Sequence, residues 1–185
     1  MALDLLNCST DDIEDSVEKY HLDHYVLSVD LWELFNKKFE KLIEEEKWKT
    51  FKYLKDDDSF SDDLTKIPND KGGIYTYYIE SPILGDRQRI LFYVGRALIT
   101  DDENIRSRIY DYKKYFVPNP AEGLRKKLRG VIKKWKKYVY CKYLTLDDND
   151  TIIELEANLI DCLCPYCNTV IHSKIKAGCE QAWPK

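Results

Sequence analysis

Two segments constrain this chain more than any others. Gly73-Ile-Tyr-Thr-Tyr-Tyr-Ile-Glu-Ser81 and Arg89-Ile-Leu-Phe-Tyr-Val-Gly-Arg-Ala97 are dense in Tyr, Ile, Phe and Val. A turn containing Pro82, Gly85 and Asp86 separates them. β-Branched and aromatic residues suit a pleated, half-buried surface, and a Pro/Gly/Asp cluster between two such runs reverses the chain. An antiparallel strand pair is therefore expected near 73–80 and 89–96. A third run, Tyr138 to Leu146, alternates large residues in the same manner and is the remaining strand candidate.

Helical periodicity surrounds these strands. Leu31, Leu34, Phe35, Phe39, Leu42 and Ile43 recur every three to four residues, which predicts a helix over about 29–53, with a weaker one near 10–20. Ile105, Ile109 and Tyr112 predict a helix from Asn104 to Tyr115, ended by Pro118 and Pro120. A second, very basic helix should follow from about Ala121 to Lys136. The Asp147–Asp150 loop can cap a last helix whose buried stripe is Ile152, Ile153, Leu155, Leu159, Ile160 and Leu163. Residues 56–73 are polar and turn-rich and read as a linker. The expected architecture is α/β: a small three-stranded, mainly antiparallel sheet flanked by helices, behind an N-terminal helical extension. The corresponding divisions are 1–70 for the acidic extension, 71–170 for the sheet domain and 171–185 for a tail.

Charge divides the chain along the same line. Residues 1–70 carry 9 Lys/Arg against 19 Asp/Glu, a net of −10, whereas residues 104–143 carry 13 against 2, a net of +11. Arg125, Lys126, Lys127, Arg129, Lys133 and Lys134, with Trp135 and Tyr138 close by, form a run suited to a phosphate backbone. The competing reading is a helix that solvates one face and balances the acidic half. The longest apolar stretches are too short to span a bilayer, and the N-terminus lacks a basic start followed by an apolar run. A cytoplasmic protein with no membrane partner and reduced cysteines is expected. Cys162, Cys164, Cys167, His172 and Cys179 are enough ligands for structural zinc, but the second matching CxxC pair is missing, and small buried thiols are favoured. His21 and His24 read as surface or core residues, and Asp56–Asp58 as a solvated turn.

Gly73-Ile74-Tyr75 and Tyr93-Val94-Gly95, placed at the start of one strand and the end of the next, resemble the two tripeptides of the GIY-YIG nuclease family, with Val replacing the second Ile. Asn-Ile-Arg-Ser-Arg-Ile-Tyr-Asp-Tyr, 104–112, resembles the family helix that carries an essential Arg with an aromatic or His one turn later; these are Arg108 and Tyr112. Helical spacing favours Arg108 over its rival Arg106. The closing segment resembles the family's in Glu156, Leu159, Ile160, Pro165 and Asn168, and Arg96 sits where the repair branch often has Lys. The likeness spans about residues 73–168. Tyr75 and Tyr93 lie 18 positions apart, wider than in most members, and Leu98–Glu103 is an insertion relative to the compact branch.

The resemblance implies a DNA endonuclease of restriction or phage/mobile-element type, or a structure-specific repair nuclease. It implies Mg²⁺ (or Mn²⁺) held by Glu156 as the one metal ligand. Tyr75 becomes general base or water orienter supported by Tyr93, Arg96 and Arg108 the phosphate clamp, and Tyr112 and Asn168 positioning groups. A phenol near pKa 10 can act as a base only if a cation lowers that value. Cutting both strands from one small site favours a homodimer, and the acidic extension suits an unidentified protein partner. The alternative is a catalytically silent nucleic-acid-binding or protein-interaction module on the same scaffold.

Overall fold

The computed structural model describes residues 29–42, 44, 47–81, 87–121, 123–163 and 165–168. The expected helix at 10–20, His21 and His24, the hairpin tip, Cys164, His172, Cys179 and the 171–185 tail lie outside the described residues.

The expected hairpin forms from β2 (Gly72–Ser81) and β3 (Gln88–Ala97), paired antiparallel with Tyr75 opposite Gly95 and Tyr77 opposite Tyr93. A bulge after Tyr77 shifts the register, so the adjacent residues Phe92 and Tyr93 are both buried in one core cluster. β4 (Val139–Leu146) pairs antiparallel with the other edge of β2.

Among the described residues the sheet has four strands, not three. β1 (Lys49–Lys52) pairs antiparallel with β4, giving the order β1-β4-β2-β3. The helix expected over 29–53 instead ends early: α1 runs Val29–Phe39, with Lys37 and Lys38 in its last turn. The physical reason is a change of period. From Phe51 to Tyr53 every second side chain is buried, while Thr50 faces solvent and Lys52 is half-buried, and β4 offers an edge for pairing. The stretch read as a linker is also packed. Ser61 caps a short 3-10 helix, Asp62–Lys66, which turns Leu64 into the core just ahead of the buried Ile67.

The helices cover both faces. α1 and α5 (Asn149–Leu163) lie on one, burying Phe39, Ile152, Leu155, Leu159 and Ile160 against Ile74, Val94 and Leu144. The Asp147–Asp150 loop caps α5 as expected: the Asp148 carboxylate accepts from Thr151 N at 2.7 Å. The other face takes α2 (Ile105–Asp111), α3 (Lys113–Phe116) and α4 (Lys126–Trp135), with Ile105, Ile109, Tyr115, Phe116, Leu128 and Ile132 buried. The helix expected from Asn104 to Tyr115 is thus broken at Tyr112, which closes α2 and opens α3. No helix among the described residues is long and apolar enough to cross a membrane.

Candidate active site

The site gathers at β3, an edge strand, where groups from both faces of the sheet reach a common cleft of about 350 Å³. Two glycines of the flanking strands, Gly73 and Gly95, leave no room for a side chain. Gly73 has φ +150°, and a Cβ there would come within 2.0 Å of the Leu144 carbonyl oxygen, so only glycine lets β2 start here. A Cβ on Gly95 would lie 2.6 Å from both Cζ and Oη of Tyr75, its partner across the ladder. The bare backbone of Gly95 is what allows the Tyr75 ring to cross β3 toward the cleft.

Tyr75 is fully buried, and its hydroxyl is 3.0 Å from that of Tyr112. Rings of Tyr75, Tyr93 and Tyr112 pack with centroids 5.5 to 6.3 Å apart. Burial, above all, pushes the phenols of Tyr75 and Tyr112 well above the ordinary tyrosine value, outweighing the opposing pull of the Arg108 guanidinium on Tyr75. Tyr75 is therefore a neutral phenol, able to hold and orient a hydrogen-bonded group but not to ionise readily. Tyr93 accepts a hydrogen bond from an Arg125 guanidinium nitrogen at 2.8 Å, and the same guanidinium carbon sits 5.6 Å from the ring centroid.

α2 delivers Arg108. Its capping box is complete: the Asn104 side chain accepts from Ser107 N at 2.9 Å, and Ser107 Oγ accepts from Asn104 N at 3.0 Å. Ile105 N donates to the Lys71 carbonyl at 2.9 Å, fixing α2 to the start of β2. Arg108 Nε is buried, makes no hydrogen bond, and lies 3.9 Å from Glu103 Oε1. Arg106, the rival, donates to the Ile67 carbonyl and lines no part of the cleft.

From the opposite face come Arg96 and Glu156, joined as an ion pair between β3 and α5. The Glu156 side chain is 12 % exposed and borders the cleft, so its carboxylate is sheltered yet reachable. Asn168 lies in the turn after α5. Its amide accepts from Val94 N at 2.9 Å and donates to the Val94 carbonyl at 2.8 Å, while Cys167 N donates to the Phe92 carbonyl at 2.8 Å. Asn168 therefore acts as a short surrogate strand along the free edge of β3, bracing Tyr93 between these bonds.

Six of the seven expected catalytic positions border this one cleft: Tyr75, Tyr93, Arg96, Arg108, Glu156 and Asn168. Tyr112 stands behind Tyr75 rather than in the wall. The cleft also holds Glu103 and Arg125, which sequence reasoning did not place there. Glu103 precedes the Asn104 cap in the inserted loop; its carboxylate accepts from Leu98 N at 2.8 Å and so closes that loop. Three guanidinium groups against two carboxylates make the cleft a net cationic pocket suited to an anion.

Among the described residues no cluster of three His, Cys, Asp or Glu side chains is present. The donor set fits a hydrated hard cation anchored by one carboxylate, Glu156, with its other positions left to water and substrate oxygen. Cys162 and Cys167 are buried, and burial pushes the Cys167 thiol up to about 12. Comparison with family models, curated proteins and solved structures found no match.

Proposed function

We propose that this protein is a divalent-metal-dependent endonuclease that hydrolyses DNA phosphodiester bonds, with a catalytic centre similar to that of GIY-YIG nucleases. The observation that carries the reading is convergence: six residues from β2, β3, α2, α5 and the turn after α5, spread over more than half the chain, border one cationic cleft. Within that reading the protein is a restriction-type or mobile-element nuclease, or a structure-specific repair nuclease. Two copies acting together would cut both strands.

The geometry supports the following roles. Arg108, with its buried Nε lacking a hydrogen-bond acceptor, binds a non-bridging phosphate oxygen and stabilises charge as it builds there. Arg96 leaves its pairing with Glu156 to take a second oxygen. Tyr75, neutral at ordinary pH, orients the attacking water rather than deprotonating it, and Tyr112 holds the Tyr75 hydroxyl in place. Glu156 would hold Mg²⁺ or Mn²⁺, which when bound supplies Lewis-acid stabilisation and an acidified water.

A crystal grown with Mn²⁺ and a short duplex tests this reading. Anomalous density at the Glu156 carboxylate, with a phosphate against Arg108, is expected; manganese bound elsewhere would overturn the assignment. One observation favours a second reading, a catalytically silent nucleic-acid-binding module: the Arg96–Glu156 ion pair already neutralises the one carboxylate assigned to metal. Such a module would bind DNA in a salt-sensitive way and cut nothing.

A further inference from the structure

The exposed face of α4 carries a second feature. Residues 126–134 read Lys-Lys-Leu-Arg-Gly-Val-Ile-Lys-Lys, with paired lysines placed symmetrically about Gly130. Lys126, Lys127, Lys133 and Lys134 are the i−4, i−3, i+3 and i+4 positions of Gly130, the four helical neighbours of one surface point. All four are exposed, whereas Leu128 and Ile132 on the opposite side are fully buried.

Gly130 has no internal cause. A Cβ there would meet nothing within 4 Å, and its backbone is ordinary helix. After proline, glycine is the residue least suited to a helix interior. The lysines are uncommitted too. No ion pair among the described residues engages Lys126, Lys133 or Lys134, and Lys127 only lies over the Tyr166 ring at 5.0 Å. Lys136 and Lys137 beyond them are instead tied to Asp58.

We propose that Gly130 and its four lysines form a seat for the sugar-phosphate backbone of duplex DNA. The missing side chain lets a phosphate approach the helix surface closely while four ammonium groups surround it. Two observations select DNA over a lipid surface. Leu128 and Ile132 of α4 are fully buried and Trp135, at its C-terminal end, is its one exposed large apolar residue, so the lysine face carries no apolar stripe to insert into a bilayer. Arg125, immediately before the helix, lines the cleft, so a backbone crossing α4 runs on into the candidate active site. The ten-residue helix spans about 15 Å, the rise of roughly four base pairs. This rests on the nuclease reading only for the direction of the strand; the seat itself requires no cleavage.

The test is binding of a labelled duplex of about twenty base pairs, in EDTA, across a salt series. Gly130→Gln, which fills the notch with a neutral side chain and a better helix former, is expected to raise the melting temperature and weaken binding about fivefold or more. The Lys133→Gln/Lys134→Gln variant should flatten the salt dependence by about two phosphate contacts. The proposal is overturned if Gly130→Gln binds as tightly as the parent, or melts lower than it. It is equally overturned if the parent ignores duplex at low salt or prefers vesicles of phosphatidylcholine and phosphatidylserine. A parent that binds duplex through this face yet leaves plasmid and branched DNA uncut when Mg²⁺ is restored would leave the seat standing and remove the nuclease reading.

Discussion

Gly95 and Tyr75 form the tightest pairing of the site, and its requirement is steric. Gly95→Ala would drive a methyl group into the Tyr75 ring, which is hemmed in by Tyr77, Tyr93 and Tyr112 and cannot yield. Overpacking of this kind costs about 1–3 kcal/mol, to be read from urea unfolding, and any DNA cleavage should fall with it. The buried phenols make a separate pH signature. Burial raises Tyr75, Tyr77 and Tyr112 above the ordinary value of 10, so at high pH the folded state keeps protons that the unfolded chain gives up. Their contribution to stability is complete below pH 10 and is lost as pH rises beyond it toward the folded values. Denaturation midpoints should therefore drop above about pH 10, with much of the ultraviolet phenolate signal appearing only on unfolding. Free ionisation of every tyrosine in the folded protein near that pH would contradict the packing described.

At the scale of elements, α2 is the part on which the site most depends, because its cap sets where Arg108 points. Asn104→Ala removes the side-chain half of the capping box and should cost about 1 kcal/mol of stability. Cleavage should decline more than that loss alone would cause, as measured by turnover under fully folded conditions. β1 offers a contrasting case: Phe51→Ala, remote from the cleft lining, should destabilise by about 3–5 kcal/mol while leaving the turnover of the folded fraction intact. The β2–β3 hairpin is dense in β-branched and aromatic residues and α5 carries a helical period, each over eight or more residues, and both fall where expected, although Ile153, read into the buried stripe of α5, is exposed. β1 has four residues, and its pairing with β4, about ninety positions away, is invisible to local pattern. Arg96, Arg108 and Glu156 could be named from their motifs. Glu103 and Arg125 could not, since what makes them cleft residues is the folding of an inserted loop and of a helix start against β3. In the sequence Arg125 is legible only as part of the basic run.

Over the whole molecule, charge is arranged rather than balanced. The net of −4 conceals a strongly basic stretch whose lysines on α4 extend outward from a cleft already lined by three arginines. On the proposed reading a phosphate backbone meets the α4 lysines, then Arg125 and the cleft, and association with DNA should weaken steeply as salt is added. Whether that surface serves hydrolysis is decided most directly by incubating supercoiled plasmid with Mg²⁺. The parent protein should nick or linearise it, and EDTA should stop the reaction. Tyr75→Phe, Arg108→Ala and Glu156→Gln, each retaining the parent's circular dichroism, should lose cleavage by about a hundredfold or more. A parent that leaves plasmid and branched DNA intact, or variants that cut at the parent's rate, would contradict the assignment of this cleft as a hydrolytic centre.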